Sequence, residues 1–358
     1  MADYPEKKEG RFSRLIKWLR ENLFYNIWSS LITIVCLYFV IGLFIPFFQW
    51  LVVDSVWTGT AAVCRKADGA CFPFIKEKAR YILLGRYPHE EHWRPILNIV
   101  IYLGLLIFSR NRERWGKKLL ATWFGFGIVS FIIMKGGMFG LPLVETEKWS
   151  GLPLTLMLAT IAIVVSYPLG ILLALGRRSE MGVVRLLSIG YIELIRGIPL
   201  ISILFMSSQM FNLFLPKGIV IDKLLRAQVA IIMFISAYMA EVIRGGLQAI
   251  PNGQYEASDS MGLNYFQKMR LIILPQALKI VIPPTVNTAI SMFKDTSLVV
   301  IIALQDLMYT TKGAMADSKW LGFSVEGYLF IAFIYFCFCF SLGKYSRRLE
   351  KELDTGMA

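Results

Sequence analysis

The sequence predicts an all-α integral membrane protein with about eight transmembrane helices, and three observations carry this reading. Residues of the apolar and aromatic types make up 56% of the 358-residue chain while charged residues make up 18%, and mean hydropathy is +0.56, a composition outside the soluble range. Apolar segments recur along the chain at lengths suited to a bilayer, which needs about 20 helical residues. The basic residues behind the net charge of +13 lie mostly in blocks flanking those segments. Topology accounts for such blocks, so no nucleic-acid partner is expected. The five cysteines and two histidines form no C-x-x-C pair and no H-E-x-x-H, which leaves a metal or redox centre without sequence support. No G-x-x-x-x-G-K-[ST] phosphate loop occurs, so the chain is expected to carry no cofactor and to leave any ATP hydrolysis to another protein.

Residues 1–24 carry Lys7, Lys8, Arg11, Arg14, Lys17 and Arg20, with Phe12, Leu15, Ile16 and Leu19 on one helical face. Both an amphipathic segment at the membrane surface and a plain positive-inside anchor fit this pattern. Span one follows from Ile27 to Leu51, too long for the core of a cleavable signal. The loop 52–94 holds Cys64 and Cys71 around Lys66, Asp68 and Gly69. If that loop faces an oxidising compartment, a disulfide closing a tight turn and two free thiols are both open readings. His89 and His92, among Glu90 and Glu91, read as a solvated stretch rather than a metal site. Span two is expected at about Ile96 to Phe108, and span three from Leu119 to about Met138. Gly136 and Gly140 have the spacing of a helix-packing motif, although glycines at a span's end equally mark a loop. The first three spans, residues 25–140, form an extension. Five more are expected in residues 150–345, at about Leu152–Leu175, Leu187–Phe214, Ala227–Ile243, Ile280–Leu304 and Val325–Leu342, with a tail over 346–358.

One soluble interruption organises this second part, residues 251–275, PNGQYEASDSMGLNYFQKMRLIILP. Pro251 stops the preceding helix, Asn252 can cap a new one, and Gly262 can end it in a left-handed conformation. Asn264 with Gln267 gives a second capping signal, and Phe266, Met269 and Ile273 then form one apolar stripe before Pro275. Glu256-Ala257-Ser258, three residues, Gly262, nine residues, then Ile272-x-Leu274-Pro275 resembles the EAA loop of membrane subunits of binding-protein-dependent ABC importers. Every interval agrees, and Ser258 stands where the family pattern has a second alanine. The resemblance implies that Glu256, Ala257, Ser258, Gly262 and Pro275 belong to a helical hairpin that docks in a groove on an ATPase subunit.

Residues 152–345 also resemble the permease core of polar amino-acid importers, through Glu193-Leu194-Ile195-Arg196-Gly197-Ile198-Pro199, Ala240-Glu241-Val242-Ile243-Arg244-Gly245-Gly246 and Lys294-Asp295-Thr296-Ser297-Leu298. The extension with its two-cysteine loop is similar to the longer permease of general L-amino-acid importers. A five-helix type I ABC importer core preceded by three helices is thus implied. So are a second permease, two ATPase subunits that bind ATP and magnesium, a periplasmic amino-acid-binding protein, and residence in a bacterial inner membrane. An ion-coupled secondary amino-acid transporter is the alternative. Against it, acidic relays are sparse and no inverted repeat is evident. A membrane enzyme would need a nucleophile and base, or a metal constellation, that the sequence does not offer.

With eight spans and both termini in the cytoplasm, 22 Lys and Arg fall inside and 14 outside, which places the hairpin on the cytoplasmic side. Charges within spans require a reason. Lys294, Asp295, Thr296 and Ser297 interrupt an apolar run that also holds Pro283, Pro284 and Asn287, so a broken or re-entrant helix is expected there. Such breaks are where transporters place substrates. Lys294 and Asp295 suit the carboxylate and ammonium of an amino acid, or they pair with one another or with a partner permease and only hold the break open. Glu193 and Arg196 can pair on one helix face at the interface if the true span starts at Pro199. Glu241 and Arg244 read as structural partners of the hairpin that follows.

Overall fold

A computed structural model describes residues 11–353 apart from 115, 139, 215, 217, 219 and 220. Lys7, Lys8 and the last five residues of the expected tail lie outside the described residues. The chain divides into two compact units, Met1–Lys76 and Glu77–Ala358.

In the first unit, α1 (Arg11–Asn22) precedes α2 (Ile27–Phe48). Asn26 caps α2 by accepting from the Ser29 amide at 2.7 Å, which satisfies one of the orphan donors at a helix start. The apolar stretch continues through a π-helical turn to Val53, 27 residues in all. Beyond it, short α3 (Ala61–Cys64) leads into a loop closed by a disulfide from Cys64 to Cys71, with Cα atoms 5.6 Å apart. The Val56 amide donates to Ala70 O at 2.8 Å and the Phe72 amide to Val56 O at 2.9 Å, while Trp57 stacks on Phe72 at 4.1 Å. The ring holds the Arg65–Lys66 pair, a trypsin site. Closing a ring this small restricts the open loop by roughly 2.5 kcal/mol. Cys64→Ser is therefore expected to accelerate tryptic cleavage after Arg65 or Lys66 by about 50-fold, and dithiothreitol should reproduce the effect on the native protein. Equal cleavage rates in all three samples would contradict it.

In the second unit the expected loop is largely helical. α4 (Phe72–Leu84), of which most belongs here, leads to α5 (Trp93–Ser109), and α6 (Lys117–Lys135) follows. His92 is buried, its Nε2 at 2.8 Å from Tyr87 O and its Nδ1 accepting from Arg80, and Glu91 pairs with Arg94 at 2.9 Å. Gly136, Gly137 and Gly140 all have positive φ and form the turn after α6, so the loop reading of these glycines holds and the packing motif does not. α5 and α6 join the next helix through a buried polar seam. Ser130 Oγ donates to Asn98 Oδ1 at 2.7 Å, and Asn98 Nδ2 donates to Met157 Sδ at 3.3 Å. Such bonds are a usual adhesive between membrane helices.

Next come α7 (Gly151–Arg177), α8 (Gly182–Gly197), α9 (Leu200–Met210), which a 3-10 turn extends to Phe214, and α10 (Lys223–Gln248). α7 lies along α10, where Ser166 Oγ donates to Ile232 O at 3.0 Å and a Cβ on Gly170 would stand 2.8 Å from Met239 Cβ. The expected single span Leu187–Phe214 is in fact two helices meeting at 103°. Pro199 explains the corner, because it disfavours helix at Ile198 and can only begin a new one. The hairpin comprises α11 (Asn252–Ser260), α12 (Tyr265–Lys268) and α13 (Leu274–Ile280).

α14 (Ile282–Asp295) has its prolines in the first turn and continues as a 3-10 turn, Thr296–Ile302, that Ala303 ends at φ 53°. The run is thus one 21-residue span with a change of winding, rather than the broken or re-entrant helix expected. α15 (Leu307–Met315) and α16 (Ser324–Leu353) complete the chain, and α16 runs well past the expected end at Leu342. Six described helices are long and apolar enough to cross a membrane, α8 with α9 makes a seventh, and Ala121–Lys135 within α6 is a shorter apolar helix.

At the end of this unit remote from the hairpin, Ser150–Gly151 pairs in parallel with Gln305–Asp306. Gly151 sits at φ 71°, and a side chain there would collide with the Leu83 carbonyl. Thr310 Oγ1 donates to Ile82 O at 2.6 Å, Lys78 pairs with Asp317, and Lys319 pairs with Glu77 at 2.7 Å. The bonds from Lys319 and Trp320 hold the Glu77 carboxyl below the usual range.

Asp306 caps α15, accepting from the Met308 and Tyr309 amides at 3.1 and 3.0 Å. Its burial outweighs those bonds and the nearby Lys312, and pushes its carboxyl up from 3.8 to about 6. Holding the proton therefore favours the fold. That stability is complete below about pH 3.8 and is lost as pH rises through about 6, a change of about 3 kcal/mol. Asp306→Asn keeps an acceptor for the helix but cannot ionise. The Tm of the native protein is expected to fall relative to that of the variant between pH 4 and pH 7, and parallel profiles would contradict this.

Candidate functional site

Pro251 is itself the cap residue of α11 and Asn252 the first helical one, so the expected cap at Asn252 is displaced by one position. At the other end Gly262 adopts φ 69°. Its amide donates to Asp259 O at 2.9 Å and that of Leu263 to Ser258 O at 3.3 Å, the paired bonds of a Schellman stop that L side chains resist. α12 restarts with a reciprocal capping box. The Gln267 amide donates to Asn264 Oδ1 at 2.9 Å, and the Asn264 amide to Gln267 Oε1 at 3.0 Å. Before Pro275, which offers no amide hydrogen, the helix widens into a π turn, Met269–Ile273, as expected where a ladder bond is missing. Lys268 pairs with Asp259 at 2.5 Å and Gln276 Nε2 donates to Gln254 Oε1 at 3.0 Å, which fastens the hairpin to itself.

The two faces of the hairpin differ in chemistry. Ser258, the residue that departs from the EAA pattern, is fully buried and donates to Gln254 O at 2.5 Å. Its small size serves contact within the chain. Met269 and Ile273 are buried with it, whereas Phe266 of the same expected stripe is 82% exposed, so the stripe is divided. Glu256, Ala257, Gly262 and Pro275 are exposed, and Met261, Leu271 and Tyr265 join Phe266 on the open side. Large exposed apolar side chains on a polar, rigidly capped hairpin mark a contact surface.

Beside the hairpin lies a charge cluster. Glu241 of α10 takes Arg177 of α7 at 2.9 Å, Arg244 of its own helix at 2.9 Å, and Arg196 of α8 at 3.5 Å. The same Arg177 nitrogen reaches Glu193 of α8 at 2.8 Å. The expected Glu193–Arg196 pair is therefore replaced by contacts between helices. Glu241 and Arg244 do pair, and their ion pairs brace the ends of α7, α8 and α10; among the described residues no hydrogen bond or ion pair joins either of them to the hairpin. Arg178 is so joined, donating to Leu247 O at 3.1 Å and to Tyr255 Oη at 3.2 Å. Arg177, Arg178 and Tyr255 were not legible as site residues. The Arg-Arg doublet reads in sequence only as topological charge.

Thr296 and Ser297 sit at the change of winding in α14, where each hydroxyl donates to the carbonyl three residues back, Phe293 O at 2.8 Å and Lys294 O at 2.9 Å. Thr296 is buried, Lys294 exposed and Asp295 half-buried. No ion pair within 4 Å joins Lys294 to Asp295 among the described residues, so neither neutralises the other directly.

Packed apolar helices with buried polar seams, one span cornered at a proline, and a capped hairpin presenting an apolar face define a membrane-spanning transport subunit. The chain belongs to the family described as binding-protein-dependent transport system inner membrane component, whose model matches residues 166–354 and so includes the hairpin, the Glu241 cluster and residues 294–297. It is a permease subunit of an ATP-driven importer, and the ion-coupled alternative falls. It is 48% identical over 357 residues to the inner membrane amino-acid ABC transporter permease protein YhdY of Escherichia coli, covering 98% of this chain and 96% of that one. It is 36% identical over 406 residues to the glutamate/glutamine/aspartate/asparagine transport system permease protein BztC of Rhodobacter capsulatus, covering 94% and 93%. A solved amino acid ABC transporter, described as a crystal structure with histidines, is 32% identical with a TM-score of 0.51, covering 56% of this chain and 92% of that one. The last comparison covers little more than half of this chain, whereas the first two cover nearly all of it.

Proposed function

We propose that this permease imports amino acids, with ATP and magnesium bound by two separate ATPase subunits, a second permease completing the pathway, and a periplasmic binding protein delivering the cargo. The observation that carries this is the hairpin, a helix stop at Gly262 and a restart at Asn264 that leave the large apolar side chains of Phe266, Met261 and Leu271 exposed. In this reading the hairpin and both termini are cytoplasmic, and Glu256 to Gly262 seats in a groove of an ATPase subunit, a helix-in-groove contact. Residues 25–140 form the extension and 150–345 the core. The relatives' names support an amino-acid cargo. In the pathway, Lys294 and Asp295 stand one exposed and one half-buried with no ion pair between them, which leaves a cation and an anion for a zwitterion beside the change of winding at Thr296 and Ser297. Proteoliposomes containing the full complex should accumulate radiolabelled L-amino acids when ATP is enclosed with the ATPase subunits, without an ion gradient. Uptake by this chain alone under a proton or sodium gradient would contradict the proposal.

A further inference from the structure

Arg177 and Arg178 end α7 at consecutive positions, about 100° apart around the helix, and so face different neighbours. Arg178 grips the hairpin. It donates to Leu247 O, at the end of α10, and to the hydroxyl of Tyr255 on α11, and that hydroxyl also donates to Leu247 O at 3.1 Å. The Arg178 guanidinium lies 5.6 Å from the Tyr255 ring centre. Among the described residues no other side-chain hydrogen bond ties α11 to a spanning helix. Arg177 grips the bundle, one nitrogen shared between Glu193 of α8 and Glu241 of α10.

We propose that Arg177 and Arg178 are the relay of this transporter, Arg178 and Tyr255 sensing the position of the hairpin and Arg177 passing it to α8 and α10. The contacts are built to exchange. A single nitrogen serving two carboxylates on two helices must give up one when those helices separate. Glu241 keeps Arg244 from its own helix at 2.9 Å whatever Arg177 does, so the break strands no buried charge. Glu193, with its side chain 55% exposed, is rehydrated at little cost when released. α8 meets α9 at 103°, and that corner lets α8 shift without dragging a straight span. Two arrangements with small cost between them are what a transmitted motion requires.

The relay rests on the hairpin docking proposed above, and the test separates the two. The complete importer is purified and reconstituted with Tyr255→Phe, which removes only the hydroxyl, with Glu193→Gln, and with both. ATPase retention, ATP hydrolysis and uptake of radiolabelled L-amino acids per ATP are measured. Each single variant is expected to retain the ATPase and to keep hydrolysis within about two-fold while uptake per ATP falls about five-fold or more. The double variant is expected to match the worse single one, because both residues lie on one path. Unchanged uptake per ATP in both single variants, losses that multiply in the double, or loss of the ATPase from the Tyr255→Phe complex would overturn the relay. Retention of the ATPase that is unaffected by Phe266→Asp would overturn the docking, and the relay with it.

Discussion

Replacing Glu241 with alanine is expected to destabilise the protein by about 3–5 kcal/mol, the cost of stranding partly buried charge. The Glu241 side chain is 15% exposed and gathers three arginines from α7, α8 and α10. Removing it leaves three guanidinium groups close together in a space that water only partly reaches. Glu241→Gln, which keeps an acceptor but loses the charge, should cost less, about 1.5–3 kcal/mol. Truncating Arg177 as well, to methionine, should recover part of the alanine penalty, since emptying a cluster of its charges is cheaper than unbalancing it. The check is the thermal midpoint of the purified chain in detergent. A loss near 0.5 kcal/mol for Glu241→Ala, roughly that of a surface ion pair, would mean that the cluster braces nothing.

Phe266→Asp is the second large effect, and it acts on assembly. Phe266 is 82% exposed, and Met261 and Leu271 are exposed as well, so its loss should leave the fold of this chain almost unchanged. If it is the anchor of a docked hairpin, truncation with a charge should weaken ATPase binding by at least about 2 kcal/mol, or some 30-fold. Co-purification across a dilution series measures this directly. Gly262→Ala is a graded companion. Nothing lies within 4 Å of the added Cβ, so its cost is conformational alone, about 1 kcal/mol. Binding should weaken by much less than with Phe266→Asp. Equal retention for the native chain and Phe266→Asp would remove the hairpin from the interface.

What could be read from the sequence was local. The stop at Gly262 and the capping box at Asn264 and Gln267 depend on a few consecutive residues, and the fold forms both. The inward face of Ser258 was not legible, because it depends on which side of α11 meets the π turn, and neither does the helical period over nine residues fix it. The corner at Pro199 was half visible. Gly197 and Pro199 mark it, but apolar residues run on both sides of Glu193 and Arg196 from Leu187 to Phe214 and mask two helices as one. The short pattern of α4 hid its role at the far end of the core, where Glu77, Lys78 and Ile82 meet residues more than 200 positions away. Charge pairing was the least legible. Glu193 and Arg196 stand at ideal spacing for one another on α8, yet Arg177 offers Glu193 a contact at 2.8 Å from another helix, and tertiary placement overrides the local pair.

A hairpin whose exposed apolar side chains meet an ATPase should be trapped there by a crosslink from position 266. A photoreactive phenylalanine analogue placed at position 266 of the intact importer, illuminated in native membranes, should yield a covalent adduct whose second chain is the ATPase subunit. Adducts confined to lipid, or to other segments of the permease, would contradict the assignment.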